Sequence, residues 1–205
     1  MPPSGCSCRA AAAVGGRGTS GPVGSPGPWP MLADMSDSHD PEFAPTAETT
    51  LDLDDVTFRR LGPGDASAVR DLHAALDEHD SYYRFFGPRP KHLEHLAAAT
   101  ASNDPGHGAV GAFLGPRLIG VANYIVSPGT HCAEVAMVVA HEDQQSGIGT
   151  ALLTRLAADG RRRGIDRFVA DVMATNSTMM QLLKDIDIPM SADYDNEIVH
   201  VVLQL

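Results

Sequence analysis

The chain has 205 residues, 43% of them apolar and 20% charged, with a formal net charge of −11. That is material for one compact domain. No apolar run approaches membrane-spanning length, no basic segment with an apolar signal core opens the chain, and an acidic protein with no basic stripe argues against nucleic acid and suits a cationic partner. The three cysteines, Cys6, Cys8 and Cys132, are odd in number and follow no framework spacing, so no disulfide scaffold is expected; a soluble protein of a reducing, cytoplasmic setting fits.

Residues 1–55 read as a disordered tail, with too few clustered apolar residues to offset the entropy of ordering. Its first part is rich in Gly, Pro and Ser; residues 34–57 hold eight acids and no base. The domain is expected over 56–205. It opens with the strand VTFRRL, then Gly62-Pro63-Gly64 and a helix through AVRDLHAALDE that Asp65 or Ser67 can cap. After Gly87-Pro88-Arg89-Pro90 a second helix covers about Lys91 to Ala99. GAVGAFL and RLIGVANYIV, joined at Gly115-Pro116, read as a β-hairpin. Then follow the strand CAEVAMVVA, a glycine turn, a helix over Thr150 to Arg163, the strand RFVADVM, a helix over about Ser177 to Lys184, and the strand EIVHVVLQL. Hairpins early and a strand-helix-strand crossover late make this an α/β class with a mixed sheet.

The turn Gln144-Gln145-Ser146-Gly147-Ile148-Gly149-Thr150 follows a strand and opens a helix. Backbone N–H groups there have no helical acceptor and the helix dipole adds positive charge, which suits a phosphate or pyrophosphate. A Walker loop would need a lysine before Thr150, and a dinucleotide fingerprint would need a third glycine at Leu152. What remains is Gln/Arg-x-x-Gly-x-Gly/Ala, met by Gln144, Gly147 and Gly149.

On these residues the sequence resembles the GCN5-related N-acetyltransferases, whose coenzyme A pyrophosphate loop has this pattern, and the order of elements from Val56 to Leu205 is similar along its length. SYYRFFGP at 81–88, AEVAMVV, and ATNSTM at 174–179 resemble the bacterial protein lysine acetyltransferases that modify acyl-CoA synthetases. The resemblance implies a mostly antiparallel mixed sheet with helices on both faces. It implies a V-shaped opening between the strands at Cys132 to Ala140 and Arg167 to Met173, which holds the pantetheine arm. It implies acetyl-CoA as co-substrate, with the loop from Gln144 through Gln145, Ser146, Gly147, Ile148 and Gly149 to Thr150 on the pyrophosphate. Backbone groups of Met137, Val138 and Val139 would meet the pantetheine amides, and Asn176 the pantetheine or acyl group; Asn is equally a favoured N-cap. Gln145 and Ser146 stand where the family usually has Gly and Arg. The helix from Ser177 lacks the tyrosine that commonly protonates the leaving thiolate, and Asp187-Ile188 replaces a usual Gly-Phe.

Glu134 shares a strand face with Cys132, Ala136 and Val138, none charged. A carboxylate isolated among apolar groups has its pKa raised and can take a proton from an amine near neutral pH. The similar enzymes place their general base at this position. His131 is the reserve base, and Cys132 is read as a small apolar residue rather than a nucleophile. His92 and His95 are read as a solvated helix face, not a metal site. Arg161-Arg162-Arg163 either reach the 3′-phosphate of coenzyme A or simply complement a helix C-terminus. Tyr83, Phe85 and Phe86 are read as packing or substrate wall. The expectation is an acetyltransferase acting on a protein lysine, an acyl-CoA synthetase among the candidate acceptors, with a small-molecule amine acetyltransferase and a non-catalytic acyl-CoA sensor as alternatives.

Overall fold

Seven strands hydrogen-bond into one sheet in the order β1-β2-β3-β4-β5-β7-β6 in the computed structural model, which describes residues 52–102 and 104–205. They are β1 (Val56–Arg60), β2 (His107–Leu114), β3 (Arg117–Val126), β4 (Cys132–Val139), β5 (Arg167–Met173), β6 (Met190–Asp195) and β7 (Ile198–Gln204). Every neighbouring pair is antiparallel except β4 and β5, which are parallel because α4 (Ile148–Arg162) crosses over between them. The other helices are α1 (Ala66–Ala75), α2 (Glu78–Phe85), α3 (Leu93–Thr100) and α5 (Ser177–Asp185).

Helices cover both faces, as expected. On one face α4 and α5 bury Leu152, Leu156 and Leu183 against Ala133, Phe168, Val199 and Val201; on the other α1 and α3 bury Val69, Leu72 and Ala97 against Val121 and Val138. Full burial of each large side chain contributes about 1.5–3 kcal/mol. Ala133 and Val138 fall in different clusters although they share β4, because they lie on opposite faces of the strand.

Two elements of the fold are absent from the sequence reading. Helix α2 is short, but Asp77 caps it by accepting from Asp80 N (2.7 Å), and Phe86 ends it at φ +55. Strand β6 is exposed along its whole length, so it carries no apolar alternation; β7 alone holds it at the sheet edge. Residues 53–55 form a single 3-10 turn ahead of β1. Asp52 caps it, and the expected tail before that residue, with Cys6 and Cys8, lies outside the described residues.

At the far end of α4, the buried Asp159 carboxylate accepts two bonds from Arg60 Nη1 (3.0 Å each) and one from the Tyr124 hydroxyl (3.0 Å), with Arg162 at 3.2 Å and Arg163 at 3.4 Å. Burial and this carboxylate push the Tyr124 hydroxyl up to about 12. Of the expected basic run, Arg162 and Arg163 are therefore spent on a structural carboxylate. They also stand roughly 21 Å along α4 from the glycine turn, at 1.5 Å per residue.

Candidate active site

Strands β4 and β5 pair only at Cys132↔Arg167, Ala133↔Phe168 and Glu134↔Val169. Beyond Glu134 each keeps its outer partner, β4 staying on β3 to Val139↔Gly120 and β5 on β7 to Met173↔Ile198. The two strands thus part in a V whose apex is at Glu134 and Val169. Along the open side, the β4 backbone over Met137, Val138 and Val139 has no β5 partner, a ladder edge suited to an extended arm bearing amides, with the Val139 carbonyl taken by Gln144 Nε2 (3.2 Å).

The glycine turn closes the wide end of this V. Backbone N–H groups of residues 145–150 donate to nothing within the described residues; the first bond into the turn is Ala151 N to Gly147 O (3.0 Å). Gly147 has φ +82 and Gln145 φ +60, so the turn alternates hand and gathers its amides on the concave side. Side chains brace it from behind. Gln144 Nε2 donates to Asp80 Oδ2 (3.0 Å) and to the Val139 carbonyl (3.2 Å), and Ser146 Oγ donates to the Asp143 carbonyl (2.5 Å). Asp143 is itself buried in an ion pair with Arg117 (3.0 Å), its carboxyl held up by burial. Gly149 packs against α5: a Cβ there would stand 2.5 Å from Leu182 Cδ1. The cradle of unpartnered amides at a helix N-terminus fits a pyrophosphate, and the ladder edge beside it fits a pantetheine arm.

Asn176 caps α5, its Oδ1 accepting from Met179 N (3.0 Å), which is the capping role expected of it. Beside it the Tyr83 hydroxyl, from α2, donates to the Thr175 carbonyl (3.0 Å) and so ties α2 to the segment after β5, across the mouth of the V. Asp80, Tyr83 and Arg84 all come from α2; the SYYRFFGP match marked the segment, yet only the tertiary fold shows that it lies over the opening.

Glu134 requires a correction. Its strand-face neighbours are uncharged as expected, but its side chain is exposed, at the last residue of β4 that pairs with β5. Its electrostatic neighbour is the Arg84 guanidinium, so it is not a carboxylate isolated among apolar groups. His131 lies at the paired end of β4, away from the opening, with Nδ1 on the Gly164 carbonyl (2.7 Å). His92 and His95 stack on one another at 5.5 Å.

The model of the acetyltransferase (GNAT) family matches residues 72–186. Among solved structures, the GNAT domain of S. lividans PAT is 25% identical with a TM-score of 0.65, over 73% of this chain and 90% of that one. A GCN5-related N-acetyltransferase from Kribbella flavida is 18% identical with a TM-score of 0.60, over 74% and 98%. Spermidine N-acetyltransferase from Vibrio cholerae, solved with CoA and spermine, is 17% identical with a TM-score of 0.58, over 74% and 96%.

Proposed function

Since the chain belongs to the acetyltransferase (GNAT) family, we propose that it transfers the acetyl group of acetyl-CoA to a lysine amine of another protein, by direct attack with both substrates bound and Glu134 as general base. The observation that carries this reading is that one opening in the sheet, the β4–β5 splay, has a carboxylate at its apex and a cradle of unpartnered amides at its wide end. Likeness to a protein acetyltransferase domain over 90% of that domain favours a protein acceptor. Among the described residues no helix is long and apolar enough to cross a membrane; a cytoplasmic enzyme remains the reading of the composition.

In this reading acetyl-CoA supplies an acyl carbon activated as a thioester. The amides of Gln145, Ser146, Gly147, Ile148, Gly149 and Thr150 bind the pyrophosphate, with Gln144 bracing the loop through Asp80. The β4 edge at Met137, Val138 and Val139 orients the pantetheine arm, and Asn176 holds the end of α5 beside it. Lysine arrives as an ammonium, and Glu134, directly or through one water, takes a proton so that the nitrogen lone pair can attack the carbonyl carbon. The new C–N bond replaces the C–S bond, the nitrogen gives up its second proton, and the departing thiolate takes up a proton relayed through water, since α5 offers no tyrosine. Exposure of Glu134 lets the acceptor approach from the α2–α3 face, and much of the rate comes from positioning.

The test is thiol release from acetyl-CoA with a purified acyl-CoA synthetase as acceptor, for the wild type and Glu134→Gln across pH 6 to 9. Loss of about 10²–10⁴ in kcat with coenzyme A binding retained is expected. A variant within about threefold of the wild type would remove Glu134 from the chemistry, since a general base contributes far more than that.

A further inference from the structure

The mechanism leaves Arg84 without a task. It is on α2, its Nε is buried with no hydrogen-bond partner, and no carboxylate among the described residues lies within the 4.0 Å of an ion pair. The Phe85 ring lies 5.2 Å from the guanidinium. Burial pushes the guanidinium down to about 10, opposed only by Glu134. A buried donor left without a hydrogen bond is costly, and the half-buried side chain leaves the end of the guanidinium within reach of an incoming acceptor.

Arg84 lines a cavity of about 180 Å³ enclosed by α2 and α3 and by β3 and β4, and Glu134, Asn123, Thr100 and Ala136 share its wall. The cavity wall therefore carries one cation and one anion that do not bond to each other, with the His107 ring beside them. Its complement is a group carrying an ammonium and a carboxylate together. Well below the 300–1,000 Å³ of sites for drug-sized ligands, the volume suits one or two side-chain ends rather than a folded segment.

We propose that the acceptor presents a carboxylate next to its reacting amine, the carboxylate held by the Arg84 guanidinium while the amine is delivered to Glu134. This rests on the acetyltransferase reading of the same site and narrows its substrate class. The planar fork of arginine binds a carboxylate through two parallel bonds, which fixes the acceptor's orientation as well as its affinity. An acidic residue adjacent to the lysine in a protein, or the carboxylate of a free amino acid, would supply the same chemistry.

Two acceptor pairs distinguish these sources: blocked tetrapeptides in which the lysine is followed by Glu or by Gln, and Nα-acetyl-lysine against its carboxamide. kcat/KM is measured by thiol release for the wild type, Arg84→Gln and Arg84→Lys, with thermal melts to show that each is folded. In the wild type the carboxylate member of at least one pair is favoured about tenfold or more, as hydrogen bonds to a charged group warrant. The preferred pair names the source. Arg84→Gln brings the ratio to about 1, mainly through KM of the carboxylate acceptor, while any effect of losing the charge beside Glu134 falls on both acceptors alike and cancels in the ratio; Arg84→Lys retains part of the preference. Equal wild-type rates within both pairs, a ratio that survives Arg84→Gln, or an Arg84-dependent preference for succinyl-CoA over acetyl-CoA would each overturn the proposal, the last by placing the carboxylate on the acyl donor. Turnover of both members alike keeps the transferase reading and loses this one. If no amine is turned over, the transferase reading fails, and calorimetric affinities of the same pairs for the coenzyme A-loaded protein decide: an Arg84-dependent preference for the carboxylate upholds the proposal, and equal affinities overturn it.

Discussion

Acid should destabilise this protein through one buried histidine. His73, on α1, has no exposed surface, and its Nδ1 bonds to the Val69 carbonyl at 2.8 Å, so Nδ1 carries the proton and donates. Nε2 is buried without a partner, and the ring lies 5.8 Å from Phe85. Desolvation pushes His73 down to about 4 from an ordinary 6.5; the Val69 bond opposes this and the nearby Arg84 charge adds to it. Between pH 6.5 and 4 the unfolded chain therefore binds the proton and the folded one does not, so stability rises with pH across that window. The contribution is whole above about pH 6.5 and is lost progressively as the pH falls to about 4. A pKa difference of about 2.5, at 1.36 kcal/mol each, amounts to about 3 kcal/mol, a large part of a domain's net stability. Urea unfolding at intervals from pH 7.5 to 4 for the wild type and His73→Met, which cannot titrate and has a similar volume, isolates the effect from the carboxylates common to both. The wild type should lose about 3 kcal/mol more than the variant between those limits. A difference curve flat to within about 0.5 kcal/mol, well under the loss that linkage requires, would refute the reasoning.

Two further outcomes follow from the backbone. Gly108→Ala places a Cβ 2.3 Å from Cζ of the fully buried Tyr124, whose hydroxyl is fixed on Asp159; ring displacement and the loss of that bond should cost about 3 kcal/mol in urea unfolding, and a cost below about 1 kcal/mol would show that the ring moves freely. Gln145→Gly relieves a left-handed residue worth about 1 kcal/mol, offset by the added freedom of the unfolded chain, so stability should hold or rise slightly; a loss above about 1 kcal/mol would mean that the side chain, and not the backbone conformation, matters at this position.

Much of this molecule follows from the sequence alone. The strands at 56–60, 107–114, 117–126, 132–139, 167–173 and 198–204, and the turn at 144–150, are written in local patterns of apolar alternation and glycine placement, which operate over a few residues and need no knowledge of what packs against them. Strand β6 escaped that reading because a strand exposed throughout has no apolar period, and α2 because a helix of eight residues is made by its cap and its left-handed end rather than by an amphipathic stripe. Where charge was concerned, tertiary structure decided. Glu134 looked enclosed because its own strand is apolar, yet it is exposed, where β5 and β4 make their last pairing, and has the Arg84 guanidinium for a neighbour. Arg162 and Arg163 looked available, yet they close on Asp159, whose burial follows from the packing of α4 on the sheet. Arg84 drew no reading from the sequence, yet α2 places it, half-buried, on the wall of a cavity that it shares with Glu134. A sequence states which groups can ionise, but the cost of ionising them depends on how much water remains around each, and that is settled only when the strands part and the helices close over them.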